Sequence, residues 1–356
     1  LFFAIKGKNK DGHMFVKEAL KKGAIKSVVS KKLKQISSNK VIKVKNTFLS
    51  LNHLGKITRD YSSAEIIGIT GSVGKTTLKK LISFALNNYG KVYKSPHSYN
   101  NKFGVPLSLA NLKKNADYGV FEIGMSKKGE INSLSKIVKP EIAVITNISE
   151  AHIENFNTLK DIAKAKAEII DNISENGNII LNKDSKFFNF LLSRSNKKGI
   201  NVISFSRKKK SDISLSNIQK SKNYYRLKII VKNKFFYFDT KYSTNNFISN
   251  ILACISVMFA LDLNLNKIKK NFLSFKIPDG RGDVKIVKKF NKKFKFIDES
   301  YNANPLSMTS AIENMNYYNR KKNEQKLVFL GDMLELGKKS RKLHRSLSSV
   351  INASDI

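Results

Sequence analysis

The sequence predicts a three-part α/β protein whose central part is a mostly parallel sheet behind a phosphate-binding loop. Three observations predict it. Residues Gly68 to Thr77 read Gly-Ile-Thr-Gly-Ser-Val-Gly-Lys-Thr-Thr, directly after the apolar pair Ile66-Ile67. Short apolar runs then alternate with segments of helical spacing across residues 63–278, the pattern of a parallel sheet covered on both faces. A turn-rich break, Pro278-Asp279-Gly280-Arg281-Gly282-Asp283, separates this region from a further α/β stretch.

Residues 1–62 form the first expected domain. It holds a strand over 2–5, a helix over 15–22, and strands over 27–30 and 41–44. Phe48, Leu51, Leu54 and Ile57 then mark one face of a helix leading out. In the central domain, 63–278, strands are expected over 66–70, 120–123, 142–147, 179–182 and 202–205. Helices are expected over 78–86, 131–138, 159–170 and 247–260. The β-rich run 224–238 turns at Lys232-Asn233-Lys234 and reads as an antiparallel hairpin added to the sheet. The last domain, 279–356, reads as strand 294–298, helix 308–315, strand 327–330 and helix 343–351. Two strands do not make a stable open sheet, so this domain is expected to be truncated at its end. The opening Leu1-Phe2-Phe3-Ala4-Ile5-Lys6-Gly7 lacks an initiator Met and a signal-peptide pattern. It reads as a strand entered mid-domain, so truncation at the start is expected as well.

Composition narrows the function. At 356 residues and 41% hydrophobic, the chain has material for two or three cored domains. No apolar run reaches membrane-spanning length. The single cysteine, Cys254, lies in an apolar run and suits a reducing cytoplasm. A net charge of +39 ordinarily raises nucleic-acid or membrane-surface binding. Here lysines are spread through every segment and Arg, the better base reader, is scarce. A solvated lysine-rich surface is expected, with attraction for phosphate-bearing substrates and no dedicated nucleic-acid partner.

Chemistry concentrates at strand ends. Gly71-Ser72-Val73-Gly74-Lys75-Thr76-Thr77 supplies backbone N–H groups to an anion, with Lys75 for the β- and γ-phosphates and Thr76 for Mg²⁺. The longer nucleotide-loop pattern would need glycine at Ile69, but the shorter Gly-x-x-Gly-Lys-Thr form fits. The helix behind the loop adds its dipole. Glu122 closes an apolar strand beside the loop, where a carboxylate holds Mg²⁺ directly or through water. His152 stands on the next strand's exit loop, where an imidazole can serve as a metal or phosphate ligand. Lys166 lies in Ala163-Lys164-Ala165-Lys166-Ala167-Glu168, and a helical charge run ordinarily marks a solvated face. Asp298-Glu299-Ser300-Tyr301-Asn302-Ala303-Asn304-Pro305 and Gly331-Asp332-Met333-Leu334-Glu335-Leu336-Gly337 are polar strand-exit loops in the last region.

Taken in order, the phosphate loop, Asn100-Asn101-Lys102-Phe103-Gly104-Val105-Pro106, Glu122-Ile123-Gly124, Asn147-Ile148-Ser149-Glu150-Ala151-His152, Lys166-Ala167-Glu168, Asp279-Gly280-Arg281-Gly282 and the two exit loops resemble the Mur ligase family. The resemblance covers nearly the whole chain. It implies an ATP-dependent amide ligase that joins D-alanyl-D-alanine to UDP-N-acetylmuramoyl-tripeptide in the cytoplasm, as a monomer, with Mg²⁺. Gly71, Ser72, Val73, Gly74, Lys75, Thr76 and Thr77 would bind the ATP phosphates. Thr76, Glu122, His152 and Lys166 would hold metal, Lys166 as a carbamate. Lys75, Lys166, His152 and Arg281 would carry the catalysis. Asn250 would contact adenine, Asp298 the ribose, and Tyr301, Asn302 and Asn304 the nucleotide. Asn100 and Asn101 would lie near the muramoyl peptide. The first domain would bind the UDP end, and the last would be Rossmann-like. Two departures stand out. His97-Ser98 replaces the family's usual Gly-Asn, and Asn246-Phe247-Ile248 replaces its usual His-Asn-Val. A sister ligase, a folylpolyglutamate-type ligase and a nucleic-acid-stimulated NTPase are the alternatives.

Overall fold

The computed structural model describes residues 1–7, 9–289, 292–318 and 325–356. The first region is a three-stranded parallel sheet of β1 (Phe2–Phe3), β2 (Ser27–Val29) and β3 (Val41–Lys43), in that order. Helix α1 (Val16–Lys21) lies between β1 and β2, and its small core is Ala4, Val16 and Val29. Helix α2 (Thr47–Asp60) leads to the central region, capped by Asn46, whose side chain accepts from the N–H groups of Phe48 and Leu49. Arg59 near its end donates to the carbonyls of Val138 and Lys139, both at 2.8 Å, and pairs with Glu141.

The central region is laid down as β4 (Glu65–Thr70), α3 (Lys75–Leu86), β5 (Val92–Lys94), α4 (Gly104–Ala110), β6 (Tyr118–Glu122), α5 (Glu130–Val138), β7 (Ile142–Ile145), α6 (Leu159–Ala167), β8 (Asn178–Asn182), α7 (Phe188–Lys197) and β9 (Asn201–Ser206). Strands β10 (Ile213–Lys220), β11 (Tyr225–Val231) and β12 (Lys234–Thr240) and helix α8 (Asn245–Ala260) complete it. The nine strands lie in the order β12-β11-β10-β9-β8-β7-β4-β6-β5. Pairing is parallel from β5 to β10 and antiparallel through β11 and β12. The expected turn holds Lys232 at φ 44° and Asn233 at φ 70°, the two positive φ values a tight hairpin needs.

Period-2 alternation sorts the sheet's side chains onto two faces. Ile67, Ile69, Ile142, Val144 and Ile180 join α3 and α8 in one core. Ile66, Phe121, Ala143, Ile145, Ile179 and Leu181 join α5 and α6 in the other. With both faces covered, the carboxyl ends of β4, β6 and β7 open onto one edge, where ligands bind in such sheets.

The last region differs in part from expectation. Its strands are β13 (Asp283–Lys289) and β14 (Lys292–Asp298), an antiparallel pair, followed by α9 (Pro305–Asn314). Residues 327–330 form no strand; Leu327 is 69% and Phe329 92% exposed, and no described strand lies alongside to pair with them. The single helix expected over 343–351 is two short ones, α10 (Ser340–Arg345) and α11 (Leu347–Asn352). Ile312, Met333, Leu336 and Leu347 of this region pack into the second core. No helix among the described residues is long and apolar enough to cross a membrane.

Candidate nucleotide and substrate site

The phosphate loop forms where β4 meets the N-terminus of α3. Gly71 has φ 147°, and a Cβ there would overlap the Thr146 hydroxyl. Gly74, at φ 87°, precedes α3, and a Cβ there would meet Asn250 Oδ1 at 3.0 Å. These glycines let the backbone curl tightly into the N-terminus of α3. The exit of β7 braces the loop. Ser72 N–H donates to the Asn147 carbonyl at 3.0 Å, Val73 N–H to Asn147 Oδ1 at 2.9 Å, and Thr146 Oγ1 to the Val73 carbonyl at 2.7 Å. Gly71→Ala is therefore expected to cost about 2–3 kcal/mol from strain and overlap. A calorimetric melting midpoint equal to that of the parent would contradict this packing.

Lys75 Nζ donates to the Gly71 carbonyl at 2.8 Å. Burial pushes its pKa down, Glu122 pulls it back, and Arg281 adds to the lowering. The next residue, Thr76, has its hydroxyl 3.0 Å from Glu122 Oε1. Asn100 Nδ2 donates to the same oxygen at 3.3 Å. Glu122 Oε2 faces Lys79 Nζ at 3.0 Å, with both side chains 1% exposed. Burial pushes the Lys79 pKa down, and this contact with Glu122 opposes that lowering. Lys79 also donates to the His97 carbonyl. Lys79→Met is expected to cost about 3–5 kcal/mol by stranding the carboxylate. The double variant K79M/E122Q should recover most of that loss, and additive losses in denaturant titrations would contradict the pairing.

Lys166 is 2% exposed, whereas Lys164 on the same helix is 52% exposed at its side chain. Two residues turn an α-helix by roughly 200°, so one lysine faces solvent and the other the site. The solvated-face expectation therefore holds for Lys164 and fails for Lys166. Burial, with the Lys75 ammonium nearby, pushes Lys166 well below the usual lysine range. His152 has φ 59° and pairs through Nδ1 with Glu335 of the last region. Burial lowers its pKa, Glu335 opposes this, and Lys166 and Lys75 reinforce the lowering. Glu168 accepts from the N–H groups of Gly129, at 2.9 Å, and Asn132, at 3.0 Å, fixing the start of α5 beside them.

The last region closes the site. The Arg281 guanidinium stacks 3.7 Å over the Tyr301 ring centroid, and the Tyr301 hydroxyl donates to Ser98 Oγ at 2.6 Å. Asn304 caps α9, accepting from Ser307 N–H at 3.0 Å. Desolvation by the enclosing walls raises Glu299 to about 7, opposed by Arg281, while its carboxylate neighbours Asp298 and Asp283 add to the rise.

One cavity of about 1210 Å³ gathers Gly71–Thr77, Asn100, Asn101, Glu122, His152, Lys166, Asn250, Arg281, Tyr301, Asn302 and Asn304. Asp298 does not line it, although Ile297 and Glu299 on either side do. Its carboxylate instead accepts from Ser300 N–H at 3.0 Å and Oγ at 2.6 Å. Alternation along β14 explains the split. The sequence expectations assign no role to Lys79, Ser98, Glu299 or Glu335. A signal existed for Lys79, a charge amid Leu78, Leu81 and Ile82 and four residues after Lys75. Glu335 sits in a noted exit loop, but nothing local announces its reach to His152.

The sheet edge, the glycine loop and the carboxylate beside the loop threonine define a P-loop phosphate-binding α/β protein. The Mur ligase middle domain matches residues 69–258. UDP-N-acetylmuramoyl-tripeptide–D-alanyl-D-alanine ligase of Rickettsia prowazekii is 35% identical, over 98% of this chain and 76% of that protein. The ligase of the same name from Buchnera aphidicola subsp. Baizongia pistaciae is 37% identical, over 100% of this chain and 75% of that one. Among solved structures, MurF ligase of Thermotoga maritima in complex with ADP superposes with a TM-score of 0.84 at 29% identity, over 99% of this chain and 79% of that one. The chain belongs to the Mur ligase family.

Proposed function

We infer that this chain is an ATP-dependent amide ligase that adds D-alanyl-D-alanine to UDP-N-acetylmuramoyl-tripeptide in the synthesis of peptidoglycan precursors. The observation that carries this reading is the likeness, over nearly the whole chain, to ligases of that name. A cavity that draws Lys75, Thr76, Glu122, His152 and Lys166 from the central region and Arg281 from the last supports it.

A carboxylate is a poor electrophile and must be activated before an amine attacks it. A tripeptide carboxylate oxygen attacks the γ-phosphorus of ATP, the bond to ADP breaks, and an acyl phosphate forms. The neutral amine of D-alanyl-D-alanine then attacks the acyl carbon, the amine sheds a proton, and inorganic phosphate leaves. Both steps crowd negative charge, so catalysis is mostly positioning and charge stabilisation. Lys75 and the loop N–H groups that Asn147 does not take hold the β- and γ-phosphates, and Arg281 approaches them from the last domain. Asn250 faces the adenine and Asn100 and Asn101 the muramoyl peptide. Tyr301, Asn302 and Asn304 border the nucleotide.

The Thr76 hydroxyl and Glu122 Oε1 are adjacent oxygen donors, the kind Mg²⁺ prefers. Bound there, Mg²⁺ would offset phosphate charge. A lysine ammonium does not hold a cation, but Lys166 is buried and held toward its neutral amine. That amine can take up CO₂ as a carbamate, whose oxygens would serve a second Mg²⁺ beside His152.

The work divides by domain: 1–62 for the UDP end, 63–278 for ATP, and 279–356 to close over the nucleotide. The reading carries with it a monomer acting in the cytoplasm. Mass spectrometry of product formed from UDP-N-acetylmuramoyl-tripeptide, ATP and an equimolar mixture of D-alanyl-D-alanine, L-lysine and L-glutamate tests it. Only the D-alanyl-D-alanine adduct is expected; an L-glutamate adduct would favour a folylpolyglutamate-type ligase.

A further inference from the structure

Ser98 lies where three parts of the cavity meet. It sits in the segment between β5 and α4, one residue after His97, whose φ is 40° and whose carbonyl is held by buried Lys79. Its hydroxyl oxygen accepts from Tyr301 at 2.6 Å and from Arg281 Nη2 at 3.4 Å. It also stands 3.2 Å from Thr76 Oγ1, which is 3.0 Å from Glu122 Oε1.

The chemistry of the ends fixes every proton between them. A guanidinium only donates, and a carboxylate only accepts. Arg281 and Tyr301 therefore donate to Ser98, Ser98 donates to Thr76, and Thr76 donates to Glu122. Ser98 holds the one hydroxyl proton able to orient Thr76 from the side of the last domain. In this arrangement the Thr76 proton is committed to Glu122, and one Thr76 lone pair stays free for a cation beside that carboxylate. Without Ser98 the Thr76 hydroxyl keeps only its bond to Glu122 and loses its second anchor.

We propose that Ser98 is a positioning residue for the ligase reaction: it sets the Thr76 hydroxyl for the cation and makes that setting depend on docking of Arg281 and Tyr301. This rests on the ATP-site reading above. It adds to it a link from the last domain to the metal-binding hydroxyl, through a residue at which this sequence departs from the usual family pattern.

The test is equilibrium binding of Mn²⁺, standing in for Mg²⁺, to the ADP-saturated protein, read by electron paramagnetic resonance. Ser98→Ala is expected to weaken Mn²⁺ binding by about tenfold, the scale of one lost hydrogen bond. Ser98→Thr, which keeps the hydroxyl, should stay within about twofold of the parent. Tyr301→Phe keeps the ring under Arg281 and removes only the hydroxyl. It should weaken binding too, and the double variant S98A/Y301F should bind no more weakly than S98A alone. Binding by S98A within twofold of the parent would overturn the proposal, as would multiplying effects of S98A and Y301F. Loss of binding in S98T equal to that in S98A would do the same. If the parent with ADP binds no Mn²⁺ at all, the ATP-site reading falls and the link falls with it. Tyr301 is 54% exposed, so Y301F reports on the link even if S98A is poorly folded.

Discussion

Lys75→Ala is expected to lower phosphate release by about a thousandfold or more while leaving the fold intact. The loss follows from what the ammonium does alone: it is the flexible cation that the loop aims at the β- and γ-phosphates. The fold should survive because Lys75 carries little structural duty. Its hydrogen bond is to the Gly71 carbonyl within its own loop. Burial already works against its charge, so the smaller alanine removes a desolvation cost together with one bond. Thermal melting and steady-state phosphate release on the same preparation check both halves. Turnover within tenfold of the parent would sink the phosphate-loop assignment.

Lys166→Met carries the second large effect, and it separates activity from stability. Activity is expected to fall by about a thousandfold, because a thioether can neither take up CO₂ nor hold a cation. Stability should move the other way. A lysine whose pKa is depressed in the fold binds a proton more readily when unfolded. Stability therefore rises with pH between the lowered folded value and the usual 10.5, and neutral pH lies on the unfavourable side. In CO₂-free buffer the variant should melt above the parent at pH 7, and the gap should shrink toward pH 10. With ¹³C-bicarbonate, an NMR carbonyl resonance of a carbamate should appear in the parent and be missing from the variant. An active parent without that resonance would remove the carbamate from the account.

The sheet was legible because its strands are short apolar runs with turns between them, and the loop because its residues act locally. What escaped the sequence depends on distant partners. Strand β10 pairs with β9 at only Ile213 and Ser214, and its remainder is solvated; the sequence there looks polar, and only the β11 hairpin holds it straight. The inward turn of Lys166 cannot be read from Ala-Lys-Ala-Lys-Ala, since helical phase is decided by the packing of Ile162, Ala163 and Ala165. The phase of β14 at its end has the same cause, and it decides whether Asp298 or Glu299 faces the nucleotide cavity. The segment 327–330 has strand-forming residues without a described strand to receive them. Propensity without a neighbouring ladder does not make a strand.

In an amide ligase of this kind, phosphate release from ATP is coupled to making one amide bond. The most direct measurement follows phosphate release by this chain with ATP and Mg²⁺, adding UDP-N-acetylmuramoyl-tripeptide and D-alanyl-D-alanine separately and together. Release that requires both substrates is expected, with one amide product formed for each phosphate. Release that ignores both substrates and rises with DNA or RNA would contradict it.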